Sequence, residues 1–326
     1  MLRKIRTGAL LALCMFISQV TIAHASGTYP TKPIRLVVPY AAGGDTDLIA
    51  RKLGQVLTAS LRQQIIIDNR PGANGIIGTE LVAKAPSDGY TLLMGAASTH
   101  VINPFLYPSL RYDPIKDFLP VSGVTNIPMF LVVHPSLPVK SVQDLIALAK
   151  SKPGHLNYAS AGNGSPQHLS GEMLRMAAGI DINHIPYKGG GPATIDVVAG
   201  QVEMMFAFTA TALPYMKTGH LRALAATTKE PLALAPEVPS VHQVGLPQLE
   251  LSSWMGVFAP AGTPPAIVKQ LNAEITKAMS SPEMKDALDK VGGVLIAGTP
   301  QQFAEFIHSE TDKWGKLVKD SGAKID

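Results

Sequence analysis

Cysteine is almost missing: the 326-residue chain contains one, Cys14. It falls inside the N-terminal leader described below, so the rest of the chain has no thiol. That excludes cysteine–zinc sites, thiol nucleophiles and redox chemistry. Leu13 precedes Cys14 where a lipoprotein attachment site would carry a small residue. Charge is sparse too, with charged residues at 16% and a formal net charge of +4. So small and evenly spread a charge excludes a nucleic-acid surface, and no charge run marks a basic or acidic tail. The chain also lacks the signatures of common enzymes: G-x-S-x-G, H-E-x-x-H and the G-x-x-x-x-G-K-[ST] phosphate loop. Gly72, Gly75 and Gly78 are spaced G-x-x-G-x-x-G, which is not the dinucleotide fingerprint. His100, His134, His155, His168 and His184 are scattered, as surface or capping histidines are, rather than set at metal-ligand spacing.

What is present describes a folded, exported protein. Hydrophobic residues make up 46%, with 29 Gly and 26 Pro, the opposite of a disordered composition. At ~150 residues per domain the length suggests two domains. Residues 1–25 read as a secretory signal peptide. Arg3, Lys4 and Arg6 open it, Ala9 to Ile17 is an apolar run, and Ala23-His24-Ala25 places small residues for cleavage. The run is short for a bilayer span, and no second one follows. Removing the leader leaves 25 basic side chains against 24 acidic ones, so the mature chain is nearly neutral.

The mature sequence alternates short apolar strands with amphipathic helices, the pattern of an α/β fold. Strands are expected at 34–38, 64–67, 91–94, 130–133, 157–160, around Ile185, at 202–206 and at 222–227. Helices are expected from about Asp45, after the loop at 69–75, from Ser141 with Asp144 in a capping box, and from Pro166. In the tail, Thr263, Ser281 and Thr299 each read as a helix cap followed by proline. Prolines or glycines flank Met129 to Val133 and Trp254 to Ala259, where the chain is expected to cross between two lobes.

Three glycine-rich strand-to-helix loops offer the chemistry. In open α/β sheets ligands sit at the carboxyl ends of strands, where helix amino ends present free N–H groups and partial positive charge. The first loop, Ala41-Ala42-Gly43-Gly44, has no Lys or Arg, so an anion there meets backbone amides, the Thr46 hydroxyl and water. Asp47 admits three readings: a first-turn acid turned away from the cleft, a loop organiser accepting backbone N–H bonds, or a ligand for a cation. The second loop, Ser160-Ala161-Gly162-Asn163-Gly164-Ser165, is either an ordinary capped turn or a site where small residues admit close approach. His168, in the next helix turn, faces the cleft or solvent. Lys188, beside Gly189, is a surface lysine or a carboxylate partner.

At these loops the chain resembles the Bug family of periplasmic solute-binding receptors, which serve tripartite tricarboxylate transporters. The resemblance rests on seven stretches in order: 39–47 (PYAAGGDTD), 69–73 (NRPGA), 87–93 (SDGYTLL), 158–165 (YASAGNGS) with His168-Leu169, 186–189 (PYKG), 259–264 (APAGTP) and Lys313-Trp314. It implies a periplasmic-binding-protein type II, or Venus-flytrap, fold: two α/β lobes joined by two crossover strands. The lobes would be 26–126 with 251–326, and 127–250. It implies a carboxylate pinched, with water, between residues 40–47 and 160–165. Tyr40, Ala42, Gly43, Gly44, Asp45, Thr46 and Asp47 are the candidates in the first loop. Ser160, Ala161, Gly162, Asn163, Gly164, Ser165 and His168 are those in the second. Ser98 and Thr99 would form part of the wall, with Tyr187, Lys188 and Gly189 beyond. Ala207 stands where family members often carry an acidic or amide residue, which predicts a less polar pocket and a missing contact. The family further implies a periplasmic monomer that works with transporter membrane components, without cofactor, metal or nucleic acid.

The expected function is therefore capture of a small carboxylate and delivery to a transporter. Presentation of the ligand to a sensor protein is compatible with the same sequence. A secreted hydrolase would need Ser165 and His168 as nucleophile and base, but i and i+3 on one turn is not a triad.

Overall fold

The computed structural model describes residues 29–321; the expected signal peptide and Cys14 lie outside the described residues. From Lys32 onward the chain forms one unit built on a ten-stranded sheet. Its first half starts with β1 (Ile34–Val38), β2 (Ile65–Asn69) and β3 (Thr91–Ala96), β1 pairing in parallel with both others. The run Ile34-Arg35-Leu36-Val37-Val38 is apolar on both faces apart from Arg35, as a strand covered on both sides must be. Helices α1 (Asp45–Leu61) and α2 (Ile76–Ala83) connect these strands, and α3 (Asn103–Leu106) follows β3. Between them Ser98–Ile102 forms a π-helical turn, in which Asn103 N–H bonds to the Ser98 carbonyl.

β4 (Phe118–Val133) is the element that the sequence pattern shows least. Only its end, 130–133, reads as a strand, because Pro120, Gly123 and Pro128 interrupt the rest. The strand absorbs these residues with register shifts between Pro120 and Ser122 and between Gly123 and Thr125. Up to Pro128 it pairs with β9 (Ser252–Pro260), and from Met129 it pairs with β7 (Met204–Phe208) and β8 (Arg222–Ala226). Thr227 stitches the exchange. Its Oγ1 accepts the Met129 amide at 2.9 Å and lies 2.5 Å from the Leu251 carbonyl. Its own N–H bonds to Met129 O, and its carbonyl accepts from Leu251.

The second half repeats the first. β5 (Leu156–Ser160) pairs in parallel with β6 (Ile182–Pro186) and β7, while α4 (Val142–Ser151), α5 (Pro166–Ala178), α6 (Gly190–Val198) and α7 (Thr209–Lys217) supply the helices. The expected box at α4 is present, Ser141 and Asp144 each bonding the other's backbone. α8 (Pro265–Met279), α9 (Pro282–Asp289), β10 (Val294–Leu295) and α10 (Pro300–Ser321) complete the chain. Ser281 caps α9 and Thr299 with Gln302 boxes the start of α10, as expected. Thr263 does not cap α8: the cap position is Pro264, and the Thr263 hydroxyl turns back to the Pro260 carbonyl. Among the described residues no helix is long and apolar enough to cross a membrane.

Candidate functional site

The loop between β1 and α1 owes its shape to Asp47. One oxygen accepts the Gly43 amide at 2.9 Å and the Arg51 guanidinium at 2.9 Å; the other accepts the Asn69 side chain at 2.9 Å. Asn69 also donates to the Tyr40 carbonyl and accepts from Arg51. Burial works against the Asp47 charge, but these bonds outweigh it and hold the carboxyl below its ordinary range. Asp47 is thus the loop organiser, and its charge points away from the cavity described below. Gly43 sits at φ +81°, a conformation the bonded turn requires and side chains resist. Gly44 precedes Asp45, the first helical residue, and its carbonyl accepts from Leu48.

The loop between β5 and α5 is organised in the same way. Ser160 Oγ accepts the Gly162 amide at 3.1 Å and lies 2.6 Å from His184 Nε2. Ser165 caps α5 by accepting the His168 amide. The His168 ring turns back on its own loop, Nδ1 accepting the Gly164 amide at 3.0 Å, which leaves its proton on Nε2. It stacks on His184 with centroids 3.9 Å apart, and burial lowers the pKa of both rings, His184 to about 3. The hydrolase reading loses its base here, because Nδ1 is occupied by Gly164 and Ser165 is bonded by the His168 backbone.

The third loop closes against the first. A Cβ on Gly189 would lie 3.2 Å from Ala41 N, and one on Gly191 would lie 3.2 Å from Gly44 N. A Cβ at either position would push the two backbones apart by a few tenths of an ångström, so glycine suits this close approach. The Tyr187 hydroxyl donates to Asp196 at 2.7 Å, which engages it within the α6 region, and Lys188 is exposed.

Between these loops lies a cavity of ≈ 30 Å³. Tyr40, Asp45 and Thr46 line it from the first loop, Ala96 and Ser98 from the end of β3, and Ala161, Ser165, Pro166 and Gln167 from the second loop. Phe208 closes it from β7, and Ser253 and Met255 from β9. None of these residues is Lys or Arg. Three of its polar atoms are buried without a hydrogen-bond partner: Tyr40 Oη, Asp45 Oδ1 and Gln167 Oε1. Burial pushes the Tyr40 hydroxyl up to about 12. It pushes Asp45 up to about 6, against the Thr211 hydroxyl and the amides of Asp45 and Thr211. A second cavity of ≈ 240 Å³ shares Tyr40 and Ala161 and adds Asn74, Tyr107, Gly162, Asn163, Tyr187 and Lys188 among its walls.

Six expected residues therefore reach the smaller cavity: Tyr40, Asp45, Thr46, Ser98, Ala161 and Ser165. Gly162, Asn163, Tyr187 and Lys188 border the larger one, and Ala42 and Gly43 border an outer groove with α6 and α7. Gly44, Asp47, Ser160, Gly164, His168 and Gly189 shape the loops from behind. Thr99 also stands behind, its hydroxyl bonded to the Ala96 backbone. Ala207 lines neither cavity. It is fully buried in the core with Phe130, Ala159 and Val197, because strand alternation turns Phe208, not Ala207, to the cavity. Gln167, Phe208, Ser253 and Met255 were not expected. The strand β7 ends two residues later than its apolar pattern suggests, which moves the end facing the cavity to Phe208. Gln167 stood one turn from a glycine loop, the only local signal available.

The family model described as "Tripartite tricarboxylate transporter family receptor" matches residues 49–323. The chain belongs to this family. The receptor is 38% identical to Protein BugT of Bordetella pertussis over 322 residues, 98% of this chain and 99% of BugT. Its fold matches a structure described as a periplasmic transporter with TM-score 0.88 at 39% identity, covering 91% of this chain and 100% of the other. It matches Rhodopseudomonas palustris Rpa4515 with adipate with TM-score 0.88 at 36% identity, over 91% and 100% of the two chains. For MatC of the same organism with bound malate the TM-score is 0.84 at 33% identity, over 89% and 100%. The receptor thus has the α/β periplasmic-binding-protein fold and is a solute-binding component of a transport system, not an enzyme.

Proposed function

We propose that the receptor captures a small carboxylate in the cavity between the 40–47 and 160–165 loops and delivers it, in the periplasm, to the membrane components of a tripartite tricarboxylate transporter. The observation that carries this reading is the cavity's donor set. Two helix amino ends and the hydroxyls of Thr46, Ser98 and Ser165 surround it, without a Lys or Arg. Such a site favours a carboxylate by oriented neutral donors and water, with helix-end charge assisting. The adipate and malate seen with the relatives fit the same ligand class.

The two halves act as lobes, 26–126 with 251–326 and 127–250, and the exchange of β4 partners at Pro128 and Met129 supplies the hinge. The glycine contacts between Ala41 to Gly44 and Gly189 to Gly191 then belong to a closed cleft, which the ligand favours by touching both lobes. A cavity of ≈ 30 Å³ holds little more than water, so a carboxylate enters only after the lobes part. The receptor acts as a monomer.

A thermal-shift screen of ligand-stripped protein against small carboxylates tests the reading. A ligand binding only the folded state adds ~2.7 kcal/mol at a hundredfold excess over Kd. A selective shift, with a smaller scattering radius on binding, is the expected result. Carboxylates that leave both quantities unchanged would remove the proposal.

A further inference from the structure

Among the described residues, Asp45 is the only carboxylate residue lining the smaller cavity, and no Lys or Arg lines it. It is 4% exposed, at the first position of α1, and its Oδ1 is buried without a hydrogen-bond partner. Its nearest acidic neighbour in sequence, Asp47, has taken Arg51, Asn69 and the Gly43 amide. Burial opposes the charged form of Asp45 most strongly and pushes its pKa up to about 6, while the Thr211 hydroxyl and amide and the amino end of α1 pull the other way. Gln167, 2% exposed, brings a second unpartnered oxygen to the same cavity. Its amide can present the oxygen or the NH₂ group, whichever the ligand requires.

This is an awkward wall for a plain carboxylate. A ligand anion beside Asp45 sets two like charges in a narrow, buried space, where repulsion is less screened than in bulk water. Moving the ligand's charge toward Thr46, Ser98 and Ser165 eases the repulsion but leaves Asp45 Oδ1 unpaired. A hydroxyl or ammonium group on the ligand removes both penalties by donating a hydrogen bond to that oxygen. Sites with a buried group awaiting a partner reject analogues that lack it far more strongly than apolar pockets reject a missing methylene.

We propose that Asp45 is a specificity-determining residue, selecting small carboxylates that carry a hydrogen-bond donor, hydroxyl or ammonium, next to the carboxylate and rejecting the unsubstituted acids. The inference rests on the carboxylate-binding reading above and adds the chemistry of the second ligand group. Asp45 acts as an acceptor, so the ligand binds without taking up a proton at this residue.

The test uses skeleton-matched triplets on ligand-stripped protein at pH 7.5: propionate, lactate and alanine; succinate, malate and aspartate; glutarate, 2-hydroxyglutarate and glutamate. Calorimetric titration should show the substituted member of at least one triplet binding tenfold or more tighter than its unsubstituted partner. Whether the hydroxy or the amino acid leads identifies the donor. Asp45→Asn keeps the shape and removes the charge; it should shrink that preference at least tenfold, and a thermal melt matching wild type in the absence of ligand shows that the variant is folded. An unchanged preference in Asp45→Asn would overturn the proposal. So would tightest binding of the unsubstituted acid, strengthening as pH falls to 5.5, since Asp45 would then be a proton donor. If no member of any triplet binds while another carboxylate of the thermal-shift screen does, this inference fails and the carboxylate reading stands; if no carboxylate binds, both fail.

Discussion

His168 Nδ1 accepts the amide proton of Gly164 across 3.0 Å, so a neutral imidazole holds the glycine loop from beneath. Its stacking partner His184 holds the other end of that loop through Ser160. Burial disfavours the charged form of both rings, and each would repel the other once charged. For His184 the folded pKa is about 3 against an ordinary 6.5. The folded state therefore binds fewer protons than the unfolded one in that interval. The stabilising contribution is complete above pH 6.5 and is lost as pH falls toward 3. Urea melts of wild type and His184→Gln at pH 7.5, 6, 5 and 4 should converge as pH drops, the variant losing less. Parallel curves would show that the pair does not govern the acid limb.

Asp47 and Arg51 separate a buried role from an exposed one. Asp47 is 2% exposed and bonds a backbone amide, whereas the Arg51 side chain is 52% exposed. Asp47→Ala leaves the Gly43 amide and the Asn69 side chain short of a partner and should cost roughly 1–3 kcal/mol in a denaturant melt. Arg51→Ala should cost under about 1 kcal/mol, the range of an exposed ion pair. Ligand affinity should follow the same order. Equal losses for the two variants would contradict the loop-organiser role.

Gly164 is constrained twice. Its φ is +78°, and a Cβ there would meet Leu106 Cδ1 at 2.6 Å and Asn74 Nδ2 at 3.2 Å, both on segments of the opposite half. The backbone alone penalises Gly164→Ala by roughly 1–2 kcal/mol. The contacts with Leu106 and Asn74 exist only when the halves are together, so the variant should also resist closure. Small-angle scattering should find its radius larger than wild type at saturating ligand. A variant that compacts normally would relocate the closing contact.

Ala207 distinguishes a core position from a pocket position. Asn at this site would bury an amide among Phe130, Val197 and Ala159, with added volume. Ala207→Asn should destabilise by roughly 2–5 kcal/mol through unpaired polarity and overpacking. A stable variant with a changed ligand profile would mean that Ala207, not Phe208, faces the ligand.

The sequence alone carried what local physics controls. Apolar runs of five residues between glycine turns are legible as strands, Ser141 with Asp144 and Thr299 with Gln302 as helix starts, and 40–47 and 160–165 as anion-friendly loops. Each depends on neighbours a few residues away. β4 was hidden because Pro120, Gly123 and Pro128 look like breakers, and only its partners β9, β7 and β8 supply the bonds that make them a strand. The facing of the loop residues was equally out of reach. Asp47, Thr99, Ser160 and His168 each spend a polar atom on backbone, and Asn69, 22 residues from Asp47, completes the first network. Gln167, Phe208, Ser253 and Met255 meet Asp45 only because the two halves of the sheet come together. Which way a side chain points is set by strand register and by contacts distant in sequence, and those exist only in the folded molecule.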